Sequence, residues 1–148
     1  MEVAGSAYGI AVADVQEVVS YRPPTRVFHA PPALAGITSL RGEVLPVIDL
    51  SQLLHAGGEA RPDAPEPRVV VVRERTGARR RVGLKVDALL GLREVPTSGR
   101  GEVPAAVAAR LGELVVGIVS EAPAFALLSV EGILGAPAFR ELSGASIE

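Results

Sequence analysis

Short apolar runs, separated by glycine, proline and charged residues, recur along the whole chain. The run Val69–Val72 is uninterrupted, whereas Tyr8, Ile10 and Val12 alternate with small residues. Continuous runs are typical of fully buried strands, and alternating runs are typical of strands with one buried face. The pattern therefore predicts a protein built mainly from short β-strands.

The predicted elements follow this pattern from end to end. The predicted strands are Tyr8–Val12, Val15–Tyr21, Ile37–Leu40, Val44–Ile48, Arg68–Arg73, Val82–Leu92, Val115–Val119 and Phe125–Val130. One longer helix is predicted at Val103–Leu114, because Val107, Leu111 and Leu114 recur at helical spacing.

The stretch Leu40–Leu50 combines a turn, a strand and a helix start. Arg41-Gly42 predicts a tight connection, since glycine tolerates positive φ. Pro46 lies inside an apolar run and cannot donate a ladder hydrogen bond, which predicts a sheet edge, a barrel corner or a bulge. Asp49 precedes apolar residues at helical spacing, so we expect its carboxylate to cap a short helix.

The chain of 148 residues is long enough for one domain or for two half-size units that share a core. Residues 57–67 hold small, charged and proline residues but no large apolar side chain, which predicts a linker. We therefore expect approximate halves at 1–56 and 68–136, with 137–148 as a terminal helix or tail.

Composition narrows the function classes. A formal net charge of −2 argues against nucleic acid as a partner, and so does the lack of aromatic residues around the basic run Arg79–Arg81. The absence of cysteine excludes disulfides, thiolate catalysis and a cysteine-rich metal site. No basic and apolar leader and no apolar run of about 20 residues is present, so we expect a cytoplasmic protein without direct membrane insertion.

No group of residues in the sequence predicts catalysis or a cofactor. His29 and His55 occur in unrelated contexts, and a general base or a metal site needs further positioned groups. Asp49 and Asp87 each suit a cap or a turn. The glycines form no phosphate-binding loop. We therefore predict a protein that is not an enzyme and holds neither metal nor cofactor.

Four motifs in register resemble the CheW-like domain, the adaptor module of bacterial chemosensory arrays. The strongest is Gly36–Leu50, which contains Leu-Arg-Gly followed by Pro-Val-Ile-Asp-Leu. Tyr8-Gly9-Ile10 and Val15–Val19 precede it, and Val82–Asp87 and Leu127–Ser129 follow at matching distances. The resemblance covers about Tyr8 to Leu134.

The resemblance implies a mainly β fold of two small five-stranded β-barrels and a non-catalytic role. It also implies two partners, the cytoplasmic tip of a methyl-accepting chemoreceptor and the regulatory domain of a CheA-type histidine kinase, with recruitment to receptor arrays. Carried onto this chain, the receptor-facing residues are Val15, Glu17, Val18, Ile37, Leu40 and Arg41. Glu17 and Arg41 would form an ion pair beside Gly42. Taken alone, the two charges are better explained as solvated groups beside a turn, or as an exposed ion pair that contributes about 0–1 kcal/mol.

The first strand departs from the family pattern, because only Met1–Ala7 precedes the tyrosine motif. A short or missing first strand leaves a sheet edge to be covered or paired with another chain. It suggests an adaptor that binds receptor but binds the kinase weakly or not at all. The alternatives are a ligand- or oligonucleotide-binding barrel and a subunit that self-associates through an exposed edge strand.

Overall fold

Ten strands and three short α-helices make up the residues that the computed structural model describes, which are 1–54, 63, 66–95, 100–120 and 124–135. The strands are β1 (Glu2–Val3), β2 (Ser6–Gly9), β3 (Val15–Ser20), β4 (Leu34–Leu40), β5 (Glu43–Asp49), β6 (Arg68–Arg73), β7 (Arg81–Val86), β8 (Arg100–Gly101), β9 (Val115–Val119) and β10 (Phe125–Leu128). The helices are α1 (Leu50–Leu53), α2 (Ala105–Leu111) and α3 (Val130–Leu134), with 3₁₀ helices at Val12–Asp14 and Gly112–Leu114. The predicted mainly β class is confirmed.

The strands form two five-stranded sheets. One has the order β1-β2-β10-β9-β8, and the other has the order β3-β6-β7-β5-β4. We call them the terminal sheet and the central sheet. Each sheet takes strands from both of the predicted halves, 1–56 and 68–136, so sheet membership does not follow that division. The reason is the parallel pairing of β2 with β10, which joins the two ends of the fold. Most of the predicted linker and all of 137–148 lie outside the described residues.

The central sheet is buried on both faces, and β6 shows this most clearly. Val69 and Val71 belong to a small apolar cluster on one face, together with Leu45 and Val47 of β5. Val70 and Val72 belong to the main core on the other face. Because successive side chains of a strand point to opposite faces, the unbroken valine run supplies both clusters.

The main core is shared between the sheets. From the central sheet it takes Ile48, Val70, Val72, Val82, Leu84 and Val86, and from the terminal sheet Val3, Tyr8, Val115 and Leu128. The helices add Leu50 and Leu53 of α1, Leu111 of α2, and Val130, Ile133 and Leu134 of α3. Ala33, Leu34 and Leu54 also belong to this core. The two sheets are therefore parts of a single packed unit.

The central sheet curls until its first and last strands approach each other. Just after β3, Thr25 exchanges two backbone hydrogen bonds of 2.8 Å with Ile37 of β4. Val19 of β3 and Leu40 of β4 also pack against the same small cluster. This contact between the outer strands encloses the small cluster.

Strand β5 carries the stretch that the sequence singled out. Residues before Val47 pair with β4 alone, whereas Val47–Asp49 also pair with β7. Pro46 therefore lies in the part of β5 that does not pair with β7. Its lack of an N–H group removes no hydrogen bond from the β5–β7 ladder. Asp49 caps α1, because its Oδ1 accepts hydrogen bonds from the Ser51 amide at 3.1 Å and from the Ser51 hydroxyl at 2.6 Å.

Several predicted elements end earlier than expected. The strand predicted at Tyr8–Val12 ends at Gly9, and the strand predicted at Phe125–Val130 ends at Leu128, because a helix begins at Val130. The predicted helix at Val103–Leu114 begins at Ala105 and changes to a 3₁₀ helix at Gly112, whose φ of 55° does not continue an α-helix. The predicted strand Val82–Leu92 ends at Val86. The next residues leave the β7 ladder because they bond to β1.

The short first strand is held on both sides. Glu2 pairs with Ala7 of β2 on one side and with Ala88 on the other. The Glu2 amide donates to the Ala88 carbonyl at 2.8 Å, and the Asp87 amide donates to the Glu2 carbonyl at 2.9 Å. The Asp87 carboxylate also accepts the Ala4 amide at 2.7 Å. Although β1 has only two residues, its outer edge is covered, and it joins the terminal sheet to the end of β7.

Replacing Asp87 tests this junction. In Asp87→Ala the Ala4 amide loses its acceptor in a partly buried place, and a hydrogen bond to a charged group contributes about 1.5–3 kcal/mol. We expect the free energy of unfolding in urea to fall by about 1–3 kcal/mol. Asp87→Asn keeps an acceptor oxygen and should lose less, while Glu102→Ala, an exposed acid next to β8, should change little. Equal stability of Asp87→Ala and wild type would show that the junction does not depend on this carboxylate.

Candidate partner-binding groove

An apolar groove of about 480 Å³ lies where the two sheets meet. The terminal sheet contributes Ala7, Tyr8 and Gly9 of β2 and Phe125 of β10. The central sheet contributes Val15 and Val18 of β3 and Val70 of β6. Met1, Ile10, Val12 and the segment 89–93 complete the lining. The groove thus depends on how the two sheets pack.

A β-bulge explains why both Val15 and Val18 reach the groove. Val15 pairs with Val72, Glu17 with Val71 and Val18 with Val70, so one extra residue lies between Val15 and Glu17. The bulge places Val15 and Val18 on the main-core side of β3, although they are three residues apart. Glu17 faces the opposite side.

The rim of the groove exposes large apolar side chains to solvent. Val12 is 64% exposed, Leu90 is 54% exposed and Leu92 is 83% exposed. Leu89 and Val18 are also exposed. Contiguous exposed apolar residues beside a groove are typical of an interaction site. The strand predicted at Val82–Leu92 includes this segment, and in such a strand these residues would be buried, so the sequence did not indicate an exposed rim here.

Phe125 and Arg93 close one end of the groove. The Phe125 ring lies against Gly9, where an added Cβ would come within 2.5 Å of the ring. The Arg93 guanidinium lies over the same ring, 5.0 Å from its centroid. Arg93 is the charged side chain among the described residues that line the groove, and Met1 adds its N-terminal ammonium, which donates to the Tyr8 carbonyl at 2.8 Å. The remaining lining is mostly apolar, so the surface favours an apolar partner.

The structure brings together only part of the predicted site. Val15 and Val18 line the groove. Leu40 packs against the small cluster inside the central sheet. Ile37 pairs with Pro46 of β5, and its side chain lies on the opposite face of β4 from that of Leu40. Among the described residues, the groove lining does not include Ile37, Leu40, Glu17 or Arg41.

Glu17 and Arg41 lie next to each other and join β3 to the tip of the β4–β5 hairpin. Arg41 Nε is 3.2 Å from Glu17 Oε2, and Arg41 Nη2 donates to Glu17 Oε1 at 3.2 Å. Arg41 and Gly42 have φ values of 52° and 80°, as a two-residue hairpin turn of type I′ requires. Arg41 thus holds a left-handed conformation that usually favours glycine, asparagine or aspartate. Its side chain is 74% exposed, so the ion pair is weak.

Three further ion pairs account for most of the basic β6–β7 hairpin. Arg75 Nε is 2.5 Å from Asp14 Oδ1, Arg80 Nε is 2.8 Å from Glu74 Oε1, and Arg81 pairs with Glu43. The side-chain hydrogen bond from Arg80 lowers the pKa of Glu74, and the hydrogen bond to Asp14 raises the pKa of Arg75. These arginines are engaged within the protein.

The described residues contain no group of three or more His, Asp or Glu side chains placed to hold a metal ion. His29 is exposed, and His55 lies outside the described residues. Within the described part of the chain, no helix is long and apolar enough to cross a membrane.

The two packed sheets, with an apolar groove between them, define a β-sheet protein with an exposed apolar surface of the kind that interaction sites present. The CheW-like domain family matches residues 1–138, and the chain belongs to this family. The resemblance inferred from the four motifs is confirmed.

Curated relatives match over part of their length. A "Probable chemotaxis protein CheW" of Rhizobium etli is 35% identical over 80 residues, which are 54% of this chain and 48% of that protein. The "Chemotaxis protein CheW" of Bacillus subtilis is 36% identical over 70 residues, 47% of this chain and 44% of that protein. The aligned regions thus span about half the length of these relatives.

A solved structure shows the same fold. The crystal structure of scaffolding protein TtCheW from Thermoanaerobacter tengcongensis superimposes with a TM-score of 0.78 at 24% identity, covering 93% of this chain and 90% of that chain. The arrangement of two sheets is therefore that of a CheW fold.

Substitutions at Arg41 can separate the effect of the strained backbone on stability from the effect of the ion pair. A non-glycine residue in the left-handed region costs roughly 1–2 kcal/mol, whereas an exposed ion pair contributes about 0–1 kcal/mol. We expect Arg41→Gly to be at least as stable as wild type in urea unfolding. Arg41→Ala loses the ion pair and keeps the backbone strain, so it should be the less stable variant. The opposite order would mean that the ion pair holds the turn.

Proposed function

We propose that this protein is a non-catalytic adaptor of a bacterial chemosensory system, and that its groove binds the helical cytoplasmic tip of a methyl-accepting chemoreceptor. The observation that carries the proposal is the apolar groove between the sheets with its exposed rim. Membership of the CheW-like domain family and the chemotaxis names of the matched relatives support the same role. The adaptor would be cytoplasmic and recruited to receptor arrays.

The shape and chemistry of the groove suit a helix. An amphipathic helix binds a groove through apolar side chains repeated every three to four residues, without using a sheet edge. Val15 and Val18 lie on one wall, and Leu90 and Leu92 lie in the segment that forms the rim. Both walls can therefore contact one stripe of apolar side chains on a bound helix.

The alternative of an oligonucleotide-binding barrel has less support. Binding of single strands needs a basic groove with aromatic residues for stacking. Here Arg75, Arg80 and Arg81 of the hairpin are each paired with an acid, and none of them lines the groove.

Kinase binding is a separate part of the proposal. We expect the regulatory domain of a CheA-type kinase to bind more weakly than the receptor tip, because the first strand has only two residues. The outer edge of that strand is bonded to Asp87 and Ala88, so we do not propose self-association through it.

A valine substitution in the groove tests the receptor proposal. In Val18→Asp a charge enters the apolar wall, and we expect the affinity for a purified receptor-tip fragment to fall at least tenfold, about 1.4 kcal/mol. Calorimetry or surface plasmon resonance would measure the change. Val116→Asp is the matched control, since Val116 is a β9 residue with 48% exposure, against 39% for Val18, and does not line the groove.

The outcomes separate the two partners. Equal loss in both valine variants would point to a general effect of the new charge. Unchanged binding by a folded Val18→Asp variant would rule out the groove as the receptor site. The same two variants, titrated with the kinase regulatory domain, show whether that domain uses another surface.

A further inference from the structure

We propose that Asp14 is a positioning residue that, through its ion pair with Arg75, holds the 3₁₀ helix Val12–Asp14 as one lip of the groove. This inference rests on the proposed function for its binding consequence. The claim that the ion pair holds the 3₁₀ helix concerns the protein without any partner.

The ion pair joins two segments that are far apart in the chain. Asp14 ends the 3₁₀ helix and is 6% exposed, which is unusual for an aspartate. Its Oδ1 lies 2.5 Å from Nε of Arg75, a residue between β6 and β7 whose side chain is 55% exposed. A buried carboxylate without a partner is costly, so Asp14 favours the conformation in which Arg75 reaches it.

The lip has little else to hold it. The 3₁₀ helix has three residues and no side-chain cap at its start. Its two local bonds run from the Asp14 amide to the Ala11 carbonyl at 3.0 Å and from the Val15 amide to the Val12 carbonyl. Val12 is largely exposed, so it adds little burial to fix the segment. Val15, the next residue, is held by its pairing with Val72 of β6. For the 3₁₀ helix itself, the ion pair is the long-range polar contact that the described residues show.

The lip carries groove residues on both sides. Ile10 precedes it, Val12 lies within it, and Val15 follows at the bulge of β3. A shift of the 3₁₀ helix would move all three relative to the wall formed by 89–92. The other three ion pairs do not contact the 3₁₀ helix: Glu17–Arg41 links β3 to the β4–β5 turn, Glu43–Arg81 links β5 to β7, and Glu74–Arg80 lies within one hairpin.

The first test measures the lip without any partner. Hydrogen exchange is followed at the Asp14 and Val15 amides in wild type, Asp14→Asn, Arg75→Gln and the double variant. We expect both single variants to exchange about tenfold faster at these amides and the double variant to resemble them, because coupled residues are not additive. Glu43→Gln is the matched control, an acid-to-amide change in an arginine pair that lies outside the groove.

The second test uses binding. The two single variants should bind the receptor-tip fragment about tenfold more weakly, while Glu43→Gln binds like wild type and global unfolding midpoints stay close to that control. Arg75→Lys keeps the charge and should recover part of the affinity. A purely structural effect would instead lower the unfolding midpoint and raise exchange throughout the central sheet.

The results distinguish this inference from the proposed function. Unchanged exchange at Asp14 and Val15 in the single variants would overturn the inference, whatever the affinity. Faster exchange with unchanged affinity would overturn its claim on binding. Failure of wild type to bind any receptor-tip fragment would overturn the proposed function, and the exchange data would still decide whether the ion pair holds the lip.

Discussion

The shared apolar core is the constraint on which the rest of the structure depends. The central sheet has apolar side chains on both faces, and its own small cluster covers only one of them. The other face must pack against the terminal sheet and the helices, since apolar area left in water would forfeit about 25 cal/mol per Å². The terminal sheet contains strands as short as two residues, and its apolar side chains must likewise be covered by the central sheet. The two sheets therefore require each other, and their shared boundary creates the groove.

The groove follows from how this boundary is completed. Strand β1 bonds to Ala88 and Asp87 and so joins the two sheets at one place. After Ala88 the chain no longer continues β7, and Leu89, Leu90 and Leu92 are exposed at the rim of the groove. On the other wall, the β3 bulge brings Val15 and Val18 to the same side. An exposed apolar rim is thus a consequence of chain connections that also stabilise the fold.

Four ion pairs connect parts of the described structure. Asp14, Glu17, Glu43 and Glu74 each pair with an arginine, and three of the four arginines come from the basic hairpin run. Individually such pairs contribute little to stability when exposed. Three of them, Asp14–Arg75, Glu17–Arg41 and Glu43–Arg81, each connect two separate segments of the fold, and Glu74–Arg80 lies within the β6–β7 hairpin. The pair with a buried carboxylate, Asp14–Arg75, is the one that lies next to the groove.

The sequence by itself determined the mainly β class, the Arg41-Gly42 hairpin, the Asp49 cap and the family, because these depend on local periodicity, turn chemistry and short motifs. It also indicated Val15 and Val18. Tertiary structure decided which strands share a sheet, since the β2–β10 and β5–β7 pairings join residues far apart in the chain. It likewise exposed the 89–92 segment, covered the short first strand and placed Leu40 inside the central sheet. Those outcomes depend on long-range hydrogen bonds and packing, which no local pattern records.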